Sequence, residues 1–585
     1  MVLHAVGTAA PLMAAIPTPS ATPAQVNFGA NVIGFSFLLS LLVWGPMVMA
    51  LVTAIVPEAR TGQRRTFLGI AFWTNAAALA LVIIGYSQLQ AYTSGLQFEE
   101  KLPWLPSLGI NYHLGVDGIG MALLLLNGLV GLAATLASWD VRDGARTYFV
   151  MLLLVQAAVN GVAVSRDLFM LLLFWAAATV PVAVVAAGWG SSRRSAAAGR
   201  LLAYWGLGTA ALTAGILILY TAAGSSDFDL DTLSKAAPSG RLQLIIAILF
   251  AVAALTRLPL VPFHGWAREV LAEAPAGVVV LIAGTASRLG GYVLIRLMAG
   301  IEHDASRTLA PFLGALAALT VLYAVIAALN TSDVRRLAAY LALIPGGVTV
   351  LGVAGLSPLS LVGTVMLLFA GGLAGALVAG SAATLADRAQ ARSLGLAAGL
   401  AGRTPKLCWL LLVGCLAVLG VPFLATFPSG LMVFLGSVRT QPGAAFAIVV
   451  GLLLAAVAIA RLMHRVAFGA PNPDAPTPSD ASLADSWYLG ILVGALLWVG
   501  LVPSGPKLFG IPVLDPGLVN IVNTTTADLA STYAPTPLPT PASTPSPSAL
   551  PSPSASPSPS PTPSPTPSPS VSPSPSASPS PTRSP

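Results

Sequence analysis

The sequence predicts an all-α polytopic membrane protein of about fourteen transmembrane helices, two of them broken. Three observations carry this. Only 8% of the 585 residues are charged, against about 25% in an ordinary soluble domain, so the chain lacks the polar groups to cover a water-facing surface. Apolar runs of about 20 residues, each enough to cross a hydrocarbon core of roughly 30 Å, recur between polar breaks. Lys and Arg gather in every second connection.

The apolar runs lie near 30–56, 67–88, 116–137, 146–164, 167–188, 201–222, 242–262, 275–298, 309–329, 337–355, 359–384, 407–435, 443–464 and 486–505. Numbered in order, the odd connections hold seventeen Lys and Arg, among them Arg193, Arg194, Arg200, Arg335 and Arg392, and the even ones hold six. This bias places the odd loops in the cytoplasm and both termini outside a bacterial-type cell membrane, with the bilayer as the chain's solvent. The first thirty residues show no basic stretch followed by an apolar one, so no cleaved signal is expected.

Composition also excludes. The +7 net charge is accounted for by the loops, and no basic patch is left for nucleic acid. Cys408 and Cys415 sit in one apolar run and read as small buried hydrophobes. Five scattered histidines offer no spacing for haem, zinc or an iron–sulfur cluster. No cofactor, metal or redox centre is expected on this chain.

The expected organisation is an N-terminal segment (1–29), N-terminal transmembrane helices (30–110), a first repeat (111–300), a second repeat (301–470), a C-terminal helix with its flank (471–534) and a Pro/Ser-rich tail (535–585). The tail cannot bury a core and favours polyproline II. It reads as a dispensable extension, with wall attachment or O-glycosylation as alternatives. The repeats rest on Val261-Pro262-Phe263, which recurs as Val421-Pro422-Phe423. Both copies sit in proline-interrupted spans, with Pro259 and Pro262 in the seventh and Pro422 and Pro428 in the twelfth. Proline deletes a backbone donor, and freed carbonyls at membrane depth survive only where protein or water satisfies them. With five spans between them, the copies run in opposite directions, the pattern of two inverted five-helix repeats whose broken helices line a polar path.

The stretch from Arg257 through Pro259, Pro262, His264, Trp266, Glu269 and Glu273 to Pro275 resembles the lysine, PLFPFH and TWLPDAHVEAP stretch of the antiporter-like membrane subunits of respiratory complex I. Tyr112 to Ile119 resembles the YHLGVDGI opening of a third helix. Asp167-Leu168-Phe169 with Phe174-Trp175 resembles the DLF and FWE segment of a fifth. Ser287 to Tyr292 resembles LKLGTYG, and Asp333 to Tyr340 resembles DLKRLIAY. The motifs share one order over residues 110–470, and the best likeness is to the subunit M kind. The resemblance implies a membrane-arm subunit of a proton-translocating NADH–quinone oxidoreductase. Such a subunit works beside other membrane subunits, handles protons, and leaves NADH and quinone to its partners.

The departures bear on mechanism. The family's helix-five glutamate aligns with Ala176, and its helix-seven and helix-eight lysines with Arg257 and Arg288. Two histidines align with Pro345 and Gly371, the glutamate of the second broken helix with Gly430, and the second histidine of the helix-seven motif with Leu271. A relay needs groups that change protonation, and desolvation can pull a lysine into the working range. Arginine stays charged and cannot follow.

The candidates for a proton path are thus Arg257, His264, Arg288, Glu273, Arg200 and Arg335. Arg257 and Arg288 read either as donors to broken-helix carbonyls or as fixed charges tuning a path. No acid sits in mid-span to pair with them, so carbonyls and waters near Pro259, or a neighbouring subunit's carboxylate, are expected to compensate Arg257. His264 reads as a bond or cap at the break, or as a relay. Glu273 reads as a solvated face residue or partner of Arg268, or as an entry acid. Arg200 aligns with a helix-six lysine and equally fits loop anchoring. Trp175 and Trp205 read as packing. Two other functions stay open: a subunit of a multisubunit cation/proton antiporter or membrane-bound hydrogenase, and a non-pumping structural paralogue, which Ala176, Gly371 and Gly430 favour.

Overall fold

A computed structural model describes residues 37–57, 64–90, 95–394, 398–470, 478–502, 507–508, 511–512 and 517–533. The predicted segment 1–29 and tail 535–585 lie outside the described residues. In chain order the first helices are α1 (Leu38–Ile55), α2 (Arg64–Gln88), α3 (Gly118–Ala137), α4 (Ala145–Val164), α5 (Leu168–Ala177), α6 (Thr179–Gly188), α7 (Arg194–Ala223) and α8 (Leu230–Lys235). The centre comprises α9 (Arg241–Arg257), α10 (Gly265–Glu273), α11 (Ala276–Leu281), α12 (Leu289–Val293), α13 (His303–Asn330), α14 (Val334–Leu341), α15 (Ile344–Gly355) and α16 (Pro358–Arg388). There follow α17 (Pro405–Leu419), α18 (Thr426–Ser437), α19 (Pro442–Val466), α20 (Leu483–Leu501) and α21 (Leu518–Tyr533).

Among the described residues, twelve helical segments are long and apolar enough to cross a membrane, α5–α6, α14–α15 and Ala276–Ala299 each counting as one. Their starts are fixed by short polar side chains in the connections. Asp117 accepts from the Gly120 amide at 2.9 Å, Asp167 from Phe169 at 2.9 Å, and Asp333 from Arg336 at 3.1 Å. Ser357 and Ser360 close a reciprocal box. Each cap satisfies an amide that the helix cannot.

Burial sorts the helices into an inner and an outer set. Ala276–Ala299, Val334–Gly355 and Pro358–Arg388 are covered all round by other helices, whereas α1, α2 and α19 bury about a third of their length. Large apolar side chains such as Trp73, Phe446 and Leu453 point outward from that outer set, as a lipid-facing surface requires. The inner set holds Arg288 and Arg335, both buried.

Both predicted interruptions are real breaks. The α9 helix ends at Arg257, and residues 258–264 turn before α10. The orphaned Thr256 carbonyl accepts from the Trp266 indole at 2.8 Å, and the Val261 amide donates to the Thr320 hydroxyl at 3.1 Å. The second break separates α17 from α18, where the Ala425 amide donates to the Leu496 carbonyl at 2.9 Å. Pro422 lies in this break. Pro428 does not: it sits in the first turn of α18, where a proline removes an amide that has no helical partner anyway. The span carrying Arg288 departs from α geometry on both sides of it, with π-helical segments Ile282–Ala286 and Leu294–Ala299, a distortion that concentrates at functional positions.

A Cβ at Gly290 would stand 2.2 Å from the Ala254 carbonyl oxygen and 2.6 Å from the Leu258 nitrogen. Backbone cannot yield there. Gly290→Ala is therefore expected to pry α12 from the end of α9 and destabilise by about 1–3 kcal/mol, read as a lowered melting temperature in lipid nanodiscs.

Two elements lie outside the sequence expectation. An antiparallel hairpin pairs β1 (Gln97–Leu105) with β2 (Ile110–Val116). The α21 helix packs on α3 and α16, where the Thr525 hydroxyl accepts from the Gly118 amide at 2.8 Å.

Candidate functional site: a buried cation at the first broken helix

Arg257 closes α9 and is fully buried. Its Nη2 donates to the Trp175 carbonyl at 2.6 Å and to the Thr179 hydroxyl at 2.8 Å. Both acceptors flank the joint between α5 and α6. The guanidinium carbon stands 4.1 Å from the centroid of the Trp175 ring and 4.4 Å from that of Trp205. These indoles are thus not mere packing: each sets its ring against the cation, an attraction worth about 2 kcal/mol each when desolvated. Among the described residues the bonds to Arg257 come from the α5–α6 joint and none from a carboxylate, while its Nε and Nη1 have no partner.

Arg288 is likewise buried, with its Nε donating to the Ala283 carbonyl of its own helix at 3.4 Å. It borders a cavity of about 10 Å³ walled by Pro259, Trp266 and Ser287, the space of a single water.

The other candidates do not continue this line. His264 sits beside the first break, edge-on to Tyr323 at 4.5 Å, and its side chain makes no cap bond. Arg200 is half exposed and pairs with Glu269 at 2.9 Å. Glu273 is neither solvated nor paired with Arg268: it is 4% exposed, accepts from Arg392 at 3.2 Å and is bonded by the Ser191 hydroxyl. Arg335 donates to the Ala274 carbonyl at 3.0 Å, the Ala383 carbonyl at 3.2 Å and the Asp387 carboxylate, fastening the end of α10 to α16. Arg392→Ala is expected to leave the Glu273 carboxylate buried without its cation. Its cost of about 1–3 kcal/mol should fall when Glu273→Gln is combined with it, measured by thermal unfolding.

A second polar cluster, unanticipated, lies at the even-numbered connections. Asp117 receives both terminal nitrogens of Arg296, at 2.6 and 2.7 Å, and Arg166 reaches Asp231 at 2.8 Å. Burial alone would raise the Asp117 carboxyl, but the Arg296 charge outweighs it and holds it well below the usual range. Asp229 is held low in the same way by His113 at 2.6 Å and Lys101 at 3.2 Å.

The model of the NADH:quinone oxidoreductase/Mrp antiporter transmembrane family matches residues 165–455. The chain is 30% identical over 453 residues to the NAD(P)H-quinone oxidoreductase chain 4 1 of Synechococcus sp. (strain JA-3-3Ab), an alignment covering 74% of this chain and 83% of that protein. The chain belongs to this family. Its fold is like that of a chain in respiratory complex I from Thermus thermophilus with bound NADH, with TM-score 0.73 and 22% identity over 85% of this chain and 100% of that one. It is equally like one in the Mrp complex from Dietzia sp. DQ12-45-1b, with TM-score 0.74 and 19% identity over 86% and 99%.

Against that family, the second half of the molecule is informative. Pro345 and Gly430 line one cavity of about 300 Å³ together with Leu351, Leu367 and Phe434, and its walls are almost wholly apolar. Gly371 packs on Pro345, whose Cβ would stand 2.8 Å from a Cβ at 371. Pro345, Gly371 and Gly430 thus lie close together, and none of them titrates.

Proposed function

We propose that this chain is a subunit M-type membrane-arm subunit of a proton-translocating NADH–quinone oxidoreductase, and that it keeps the family's shape without a proton relay along its midplane. Its odd loops face the cytoplasm, its two inverted repeats meet at the breaks, and its partners are the neighbouring membrane subunits. NADH and quinone act elsewhere in the assembly. The observation that carries this reading is the Arg257 clasp: a group that stays protonated, bonded to a carbonyl and a hydroxyl and enclosed by two indoles, has no means of passing a proton on.

Removal of the chain tests the assignment. The membrane arm should fail to assemble without it; an arm that assembles normally in its absence overturns the assignment. A second reading, membership of a multisubunit cation/proton antiporter, is favoured by the likeness to the Dietzia Mrp complex. Affinity purification of the tagged chain separates the two, since only the first assembly brings down flavin and iron–sulfur absorbance.

A further inference from the structure

Among the buried acids of the described residues, Glu302 alone stands without a bonding partner. It lies at the corner between the span ending at Ala299 and α13, and its side chain is 0% exposed. Neither carboxyl oxygen has a hydrogen-bond partner. Its backbone is fully used, the amide donating to Met298 at 3.0 Å and the carbonyl accepting from Ser306 at 2.8 Å. It stands at the N-terminal end of α13 without capping it.

We propose that Glu302 is a proton-binding site, a carboxyl that holds its proton at neutral pH in this closed corner. An ionised carboxylate needs donors or a cation once water is gone. The described charged and titratable side chains that flank Glu302 in the chain are Arg296, His303, Asp304 and Arg307, and Tyr533 of α21 reaches the Ala299 carbonyl beside it. Arg296 is committed to Asp117, Arg307 to Asp304 and the Thr532 carbonyl, and Tyr533 to the Ala299 carbonyl at 2.7 Å. None bonds to Glu302, so the neutral acid is the form that burial tolerates, and burial pushes this carboxyl up to about 8.

Tyr533 bonds to the Ala299 carbonyl, three residues before Glu302, and is set edge-on to His303, the residue after it, with ring centroids 5.7 Å apart. Withdrawal of Tyr533 would admit water and let the proton leave to it; reseating would take one up. This inference is independent of which complex the chain joins.

Infrared spectra of the full-length chain in lipid bilayers, with every glutamate carboxyl ¹³C-labelled, provide the test. A neutral glutamic acid carbonyl band should be present at pH 7, titrate near pH 8 and vanish in Glu302→Gln, and its titration should move to lower pH in Tyr533→Ala. Because the folded carboxyl titrates above its unfolded value, its contribution to stability is full below about pH 4 and is lost as the pH rises to about 8. The melting temperature of the wild type should fall across that window more than that of Glu302→Gln. A wild-type spectrum without a neutral glutamic acid at pH 7, which needs no variant to fold, overturns the proposal, as does a band that survives in Glu302→Gln.

Discussion

Arg296→Leu is expected to destabilise the chain by about 3–5 kcal/mol, the largest effect of any single charge removal here. The loss is not that of a surface ion pair, which is worth about 0–1 kcal/mol. Asp117 is 8% exposed and takes two short bonds from Arg296, while the next cation, Arg166, stands 4.0 Å away. With Arg296 gone, the carboxylate keeps only the Gly120 amide as a close donor. The penalty is that of an unpaired buried charge, so neutralising the survivor should recover most of it: the double variant Asp117→Asn with Arg296→Leu should melt well above Arg296→Leu alone. Asparagine still caps α3, which keeps the comparison on charge. Equal melting temperatures for the single and double variants would show that Arg296 acts through packing.

Trp205→Ala should cost somewhat more by a different route. Removing a buried indole costs about 3–5 kcal/mol in lost packing, and here it also takes one ring away from the Arg257 cation, adding about 2 kcal/mol. Only the second part depends on the charge. In an Arg257→Met background the same substitution should therefore cost about 2 kcal/mol less, a coupling that thermal unfolding of the four chains measures. Arg257→Met alone should be near neutral, because the cost of burying a cation, from about 3 to more than 10 kcal/mol, disappears together with the clasp that offsets it.

The membrane fold was legible because its signals are local. Twenty-residue apolar runs mark spans, and paired prolines mark both breaks down to Pro259, Pro262 and Pro422. What stayed hidden was held by pairs distant in sequence. Trp175 and Trp205 sit on different helices, and the bond from Arg257 to Trp175 spans 82 positions; nothing in either neighbourhood distinguishes a packing tryptophan from one over a cation. Glu273 finds Arg392 across 119 positions, so its neighbour Arg268 was the natural but incorrect partner. The β1–β2 hairpin carries Glu99, Glu100, Lys101 and two prolines, which erase the alternation that announces strands. The α21 helix, with its run of threonines, offers no apolar stretch long enough to attract attention. A signal for the Asp117 site did exist: Arg296 lies within an otherwise apolar span, and an intramembrane arginine calls for a named carboxylate.

On the proposed function, this chain preserves the architecture of an ion path while its charges at the first break are fixed. The direct measurement is protons translocated per electron by the purified complex carrying Arg257→Met and Arg288→Met together. Assembly at normal yield with an unchanged ratio is the predicted result. A ratio lowered in an intact complex would mean that these guanidiniums take part in proton movement, and would contradict the account.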